Sequence, residues 1–154
     1  MRVVFDTNVV LDLLLDRRPF SLDAARCFSK TEAGLIEGWL CATTVTTIHY
    51  LLNKYPGRSE AQEAVSHLLS LFRIAPANKW TLDRALNLQF KDSEDAVLHE
   101  SARFVNADLI VTRNTSDFKN AKLPVRLPVK CHSFSLPASS LPFSPSHIPP
   151  GRAR

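Results

Sequence analysis

The sequence predicts an α/β domain built on a parallel sheet, and three observations predict it. Short β-rich runs alternate with longer helical stretches, the order expected of successive βα units. Two of those runs, Val3-Val4-Phe5 and Leu109-Ile110-Val111, are apolar throughout, as strands covered on both faces must be. The chain has 154 residues, 45% of them hydrophobic. That length supports one core burying roughly two thirds of the unfolded surface, but not two ordinary domains.

Taken in order, residues 3–5 form a central strand that ends at Asp6, and residues 9–15 form a helix that stops before Pro19. Ser21 is the expected N-cap of a second helix running through Phe28, and Gly34 and Gly38 punctuate the turn into a strand at residues 39–42. Thr43 or Thr44 then caps a helix whose apolar positions Val45, Ile48, Leu51, Leu52 and Tyr55 keep helical spacing until Pro56-Gly57. After Ser59, the positions Ala61, Val65, Leu68 and Phe72 trace one helical face, and residues 72–75 before Pro76 read as an edge strand. Thr81 is the expected cap of a segment holding Leu82, Ala85, Leu86 and Leu88. Asp92 or Ser93 opens a further helix with Val97, Leu98, Ser101, Ala102, Phe104 and Val105 facing inward. Residues 109–111 are a second buried strand, and residues 125–127 a short last one limited by Pro124 and Pro128.

Composition changes near residue 137. Five of the ten prolines lie in residues 137–154, interleaved with serines and few aliphatic side chains. Such a segment buries too little surface to offset its ordering entropy, so the expected organisation is a domain over residues 1–136 and a flexible Pro/Ser-rich extension over 137–154. The net charge of +4 suits a polyanionic partner only weakly, since removing the two arginines of that segment leaves 17 basic against 15 acidic residues. Cys27, Cys41 and Cys131 are widely spaced and odd in number, which suggests small buried hydrophobes and neither a disulfide framework nor a metal knuckle. No apolar run approaches the roughly 18 residues of a membrane span, and the N-terminus lacks a secretory cleavage pattern, so a cytoplasmic protein without membrane contact is expected.

In an open parallel sheet, ligands sit beyond the carboxyl ends of the strands, where strand order reverses. Asp6-Thr7-Asn8 ends the first strand; Thr112-Arg113-Asn114, with Asp117 three residues on, ends the strand at 109–111. The loop-to-helix run Asp92-Ser93-Glu94-Asp95 brings further acids to the same rim. Carboxylates that converge repel one another unless a cation compensates, and an all-oxygen set suits Mg²⁺ or Mn²⁺. Such an ion activates water and offsets the charge that develops when a phosphodiester is attacked in line. Each acid also has a plainer role: Asp6 and Asp92 as helix caps, Asp95 as a first-turn dipole partner, Asp117 in an Asx-turn. Those roles do not explain why the acids gather at one sheet edge. His49 and His99 lie within helices and read as structural.

Four blocks carry a resemblance: residues 4–12 around Asp6-Thr7-Asn8, residues 43–50 with Thr43-Thr44-Val45-Thr46-Thr47, residues 91–97 around Asp92 and Asp95, and residues 110–118 ending Thr112-Arg113-Asn114-Thr115-Ser116-Asp117-Phe118. In order and spacing they resemble the PIN-domain family from residue 1 to about 130. The resemblance implies a three-layer α/β/α sandwich with a central parallel sheet and a Mg²⁺- or Mn²⁺-dependent ribonuclease site, often in the VapC-like toxin of a toxin–antitoxin pair. It implies metal-binding, catalytic roles for Asp6, Asp95 and Asp117, with Asn8, Thr112, Asn114, Asp92 and Glu94 in support. RNA is then the substrate, a cognate antitoxin the partner, and a homodimer the assembly such toxins commonly form. Arg113 is the expected phosphate contact, with Arg17, Arg18 and Lys119 as alternatives or mere surface charges. Relatives carry a glutamate where this chain has Thr47, and others an aspartate where it has Asn114. The competing function is therefore a degenerate PIN domain that binds RNA or protein without cutting. A nucleotide-binding domain is disfavoured because no glycine-rich loop follows the first strand.

Overall fold

The computed structural model describes residues 1–133, so the segment expected to be a flexible extension, residues 137–154, lies outside the described residues. Strand β1 (Arg2–Phe5) is followed by helices α1 (Thr7–Leu14) and α2 (Phe20–Glu32), then β2 (Glu37–Cys41), α3 (Ala42–Lys54), α4 (Arg58–Leu71) and β3 (Arg73–Ala75). Helices α5 (Lys79–Ala85) and α6 (Ser93–Phe104) lead to β4 (Leu109–Val111); a 3₁₀ turn at Thr115–Phe118 precedes β5 (Val125–Arg126), and another follows at Pro128–Ser133. All pairings are parallel and the strand order is β3-β2-β1-β4-β5. The chain thus grows outward from β1 to β3 and then crosses back to place β4 on the other side of β1. This is the reversal that opens a crevice at the carboxyl ends of β1 and β4.

Alternation along β1 divides the interior in two. Val3 and Phe5 join Val9, Val10, Phe28, Ile48, Leu68 and Phe72 beneath α1 to α4, while Val4 points to the opposite face with Leu98, Ala102, Ile110 and Phe118 beneath α6. These are the three layers, and β1, buried on both faces, is their shared axis. The larger core centres on an aromatic trio, with Phe28 and Phe72 rings 4.9 Å apart and Phe5 within 6 Å of both (5.9 and 5.7 Å), tilted or edge-on. Gly38 lets β2 approach this trio. A Cβ there would lie 2.6 Å from Thr31 Cγ2 and 2.8 Å from the Phe72 ring.

Several local expectations are corrected. Helix α2 begins at Phe20, and Ser21 does not cap it but donates its hydroxyl to Asp16. Helix α3 follows β2 without a gap, from Ala42, and neither Thr43 nor Thr44 is its cap; Thr44 is buried against Thr7. Asn78, not Thr81, caps α5, its side chain accepting from the Thr81 amide at 3.1 Å. Both residues carry cap chemistry, and the extended backbone at Asn78 decides between them. Tyr55 and Phe104 face outward, Phe104 against Trp80. The inner face of α6 instead buries His99 and Glu100, the latter bonded to Arg84 and Arg103. Asp92 does cap α6, accepting from the Glu94 amide at 2.7 Å. The three cysteines are free and buried, as expected.

Gly38→Ala should therefore overpack the aromatic core and cost about 1–3 kcal/mol, read as a lowered urea midpoint with an unchanged slope. An unaltered midpoint would mean that β2 does not need the close approach.

Candidate active site

The register of the central strands builds the site from the backbone outward. Phe5 pairs with Val111, so the next residues, Asp6 and Thr112, emerge side by side at the crevice. The Asp6 amide donates to the Val111 carbonyl at 2.9 Å, and the Thr112 amide to Arg126 at 3.0 Å. The Thr112 hydroxyl then donates to Asp6 Oδ2 at 2.7 Å, and the Asn8 amide group donates to the same oxygen at 2.6 Å. Asn8 also accepts from the Arg113 amide at 3.1 Å, which ties the end of β4 to the start of α1. Asp6 occupies the N-cap position of α1 but makes no side-chain cap bond, so the plain capping role does not account for its carboxylate.

Around it lies a recess of about 380 Å³, lined by Asp6, Thr7, Asn8 and Leu11 from the first βα unit, Lys91, Asp92, Glu94 and Asp95 from the start of α6, Asn114 and Asp117 after β4, and Arg17. Asp95 and Asp117 share this recess with Asp6. Thr112 lies fully buried behind it, and its hydroxyl also accepts from the Asn114 amide at 3.0 Å. Glu94 reaches across to α3, where the Thr47 hydroxyl donates to its Oε1 at 3.0 Å. A carboxylate carried by α6 thus stands against the Thr47 position of α3.

Arg113, the expected phosphate contact, is engaged elsewhere: its guanidinium lies 3.0 Å from Asp12, a residue only 1% exposed, and 4.4 Å from the Phe20 ring centroid. The cations that line the recess are Arg17 and Lys91. Sequence reasoning left Arg17 among several surface charges and passed over Lys91; its place directly before the acid-rich opening of α6 was the available signal.

Electrostatics set the recess apart. Burial, followed by repulsion from Asp6, Asp92, Asp117 and Glu94, pushes the Asp95 carboxyl up to about 7. Burial likewise raises Asp6, against the stabilising bond from Thr112. An oxygen-only donor set under mutual repulsion fits a hard divalent cation in kind. Among the described residues no three His, Cys, Asp or Glu side chains are set closely enough to enclose an ion by themselves.

The Asp95 shift has a definite sign for stability. Its folded-state value lies above the ordinary 3.8, so folding favours the protonated form; the contribution is fully present below that ordinary value and is lost as pH rises through about 7. In metal-free protein, Asp95→Asn should accordingly raise Tm at pH 8 and change it little at pH 4. Equal effects at both values would show that Asp95 is not held under repulsion.

The PIN domain family model matches residues 2–116. Ribonuclease VapC1 of Aquifex aeolicus (strain VF5) is 25% identical over 123 residues, covering 75% of this chain and 83% of that protein. Among solved structures, a toxin–antitoxin complex from Klebsiella pneumoniae aligns with TM-score 0.63 at 25% identity, over 82% of this chain and 97% of that one. VapBC2 from Rickettsia felis, bound to a DNA fragment from its promoter, aligns with TM-score 0.64 at 15% identity, over 82% and 98%. With a family match spanning most of the chain and the strand order and rim acids already in place, this protein belongs to the PIN-domain family.

Proposed function

We propose that this chain is a divalent-metal-dependent endoribonuclease, the toxin of a toxin–antitoxin pair. The observation that carries the reading is the gathering of Asp6, Asp95 and Asp117 in one recess at the carboxyl ends of β1 and β4, with Asp95 raised to about 7 by its neighbours. The ribonuclease named among its relatives and the toxin–antitoxin complexes among similar folds support the choice of substrate and partner.

In this reading Asp6, Asp95 and Asp117 would hold Mg²⁺ or Mn²⁺ partly through waters the ion retains, with Asp92 and Glu94 adding negative charge at the rim. When bound, the ion supplies polarisation of the phosphate and activation of water. The chain's own groups do the positioning. Thr112 and Asn8 fix Asp6 through two bonds to its Oδ2. Asn114, its amide held by Thr112, keeps the Asp117 turn in place through a bond from the Asp117 amide to its carbonyl at 3.0 Å. Arg17 and Lys91 offer cationic contacts to the phosphates on either side of the bond to be cut. No nucleophilic side chain is required, because water adds to phosphorus as one P–O bond breaks and the departing oxygen takes up a proton. A cytoplasmic location, a cognate antitoxin covering this recess and a homodimeric assembly belong to the same reading. No helix among the described residues is long and apolar enough to cross a membrane.

The resemblance favours a second reading, a non-catalytic module that binds RNA or protein, because this chain has Thr47 and Asn114 where the resemblance implies acids. Incubation with RNA and Mn²⁺ separates the two. The nuclease reading expects endonucleolytic products that fall at least 100-fold in rate in Asp6→Asn and in Asp95→Asn, the order of loss typical when transition-state charge stabilisation is removed. Undiminished cleavage by both variants would exclude this recess as the active site, and no cleavage by the native chain at any Mn²⁺ concentration would leave the module.

A further inference from the structure

Phe20 opens α2 with 45% of its surface exposed, and one face of its ring is covered by the Arg113 guanidinium at 4.4 Å. That guanidinium is not free to follow a ligand. The buried Asp12 carboxylate holds it at 3.0 Å, and the same Asp12 faces the Arg17 guanidinium at 4.0 Å while its carbonyl accepts from the Arg17 amide at 2.9 Å. Arg17 lines the acid recess. At its other end, the Arg113 backbone is fixed to Asn8, which holds Asp6. The Phe20–Arg113 stack is therefore joined to the recess by two short chains of contacts, through Asp12 to Arg17 and through Asn8 to Asp6. Among the described residues the other guanidinium–ring pairs, Arg84 with Trp80 and Arg73 with Trp39, are paired with Glu100 and Glu37, neither of which lines the recess.

Phe20 is a half-exposed ring whose guanidinium partner is pinned by the buried Asp12 carboxylate, so ring and cation form one fixed surface. Its chemistry matches a nucleobase. Every base offers a π face, aromatic rings accept it regardless of sequence, and the guanidinium behind the ring backs it with positive charge. Paired bases have their faces occupied by neighbours in the helix, so only an unpaired nucleotide is available to lie on it.

We propose that Phe20, backed by Arg113, is a stacking shelf for an unpaired nucleobase flanking the phosphate held at the acid recess. The proposal rests on the ribonuclease reading for the phosphate's place, and it is tested by binding instead of by turnover. Asp12 and Arg113 are positioning residues in this account, and Phe20 is the group that meets the base.

The test uses the full chain, a fluorescein-labelled single-stranded oligoribonucleotide, the same strand with one abasic position at each site in turn, and a duplex, with Ca²⁺ in place of Mn²⁺ to hold off cleavage. Phe20→Ala should weaken single-strand binding about tenfold. Phe20→Trp should restore it, and one abasic position should lose nothing further in Phe20→Ala. Mn²⁺ affinity should be the same in all three proteins, and the duplex should bind weakly to each. The exposed site makes folding of the variants straightforward to verify by Tm. Native affinity in Phe20→Ala, or failure of Phe20→Trp to rescue, overturns the shelf, as does an effect of Phe20→Ala confined to release of a bound protein partner. If Phe20→Ala binds tenfold more weakly but the native chain cuts no RNA, the shelf stands and the ribonuclease reading falls. If the native chain cuts RNA and Phe20→Ala binds normally, the reverse holds.

Discussion

The parallel pairing of β1 with β4 is the constraint on which the site depends. Because Phe5 and Val111 are partners, Asp6 and Thr112 leave the sheet abreast, and a threonine hydroxyl on one strand reaches the carboxylate on the other at 2.7 Å. A slip of one residue would carry the Asp6 carboxylate into the place of Phe5 in the larger core and turn Phe5 to the opposite buried face, a cost in unpaired charge and lost packing that no hydrogen bond returns. The apolar runs of β1 and β4, buried on both faces, thus fix the place of an acid that the local chain could not hold by itself.

Charge is distributed so that the buried carboxylates Glu100 and Asp12 are paired with cations while the recess stays acidic. Glu100 in the interior draws Arg84 and Arg103, and Asp12 draws Arg113, each buried carboxylate meeting the cost of burial with paired donors. Among the described residues no ion pair involves Asp92, Glu94, Asp95 or Asp117. Their repulsion is left standing within the fold, at the expense of stability, which is how sites poised for an external charge are commonly arranged.

What the sequence made legible was local or strongly periodic. The two apolar strands, the helix α6 opened by Asp92 and the acid-bearing motifs at residues 6, 95 and 117 could be read because each is set by a few adjacent residues, and strand-end position then assigned the acids to one rim. Side-chain direction was less legible. Arg113 stands between two site residues, yet its partner Asp12 is 101 positions away and Phe20 nearly as far, so only tertiary structure shows that it turns aside. Caps failed where two suitable residues competed, as with Asn78 and Thr81, since backbone conformation decides and composition does not. The Thr47 to Glu94 bond belongs to the same class: the absence of an acid from α3 was visible in the sequence, but the approach of one from α6 was not.

The central claim is that the acids of the recess are held in mutual repulsion that a divalent cation relieves. Calorimetric titration of the protein with Mn²⁺ at pH 7, repeated in buffers of different ionisation enthalpy, measures both uptake and the protons displaced. The account predicts a saturable site with release of part of a proton from Asp95, the uptake weakened in Asp6→Asn and the release lost in Asp95→Asn. Absence of Mn²⁺ uptake, or uptake with the same proton count in Asp95→Asn, would contradict it.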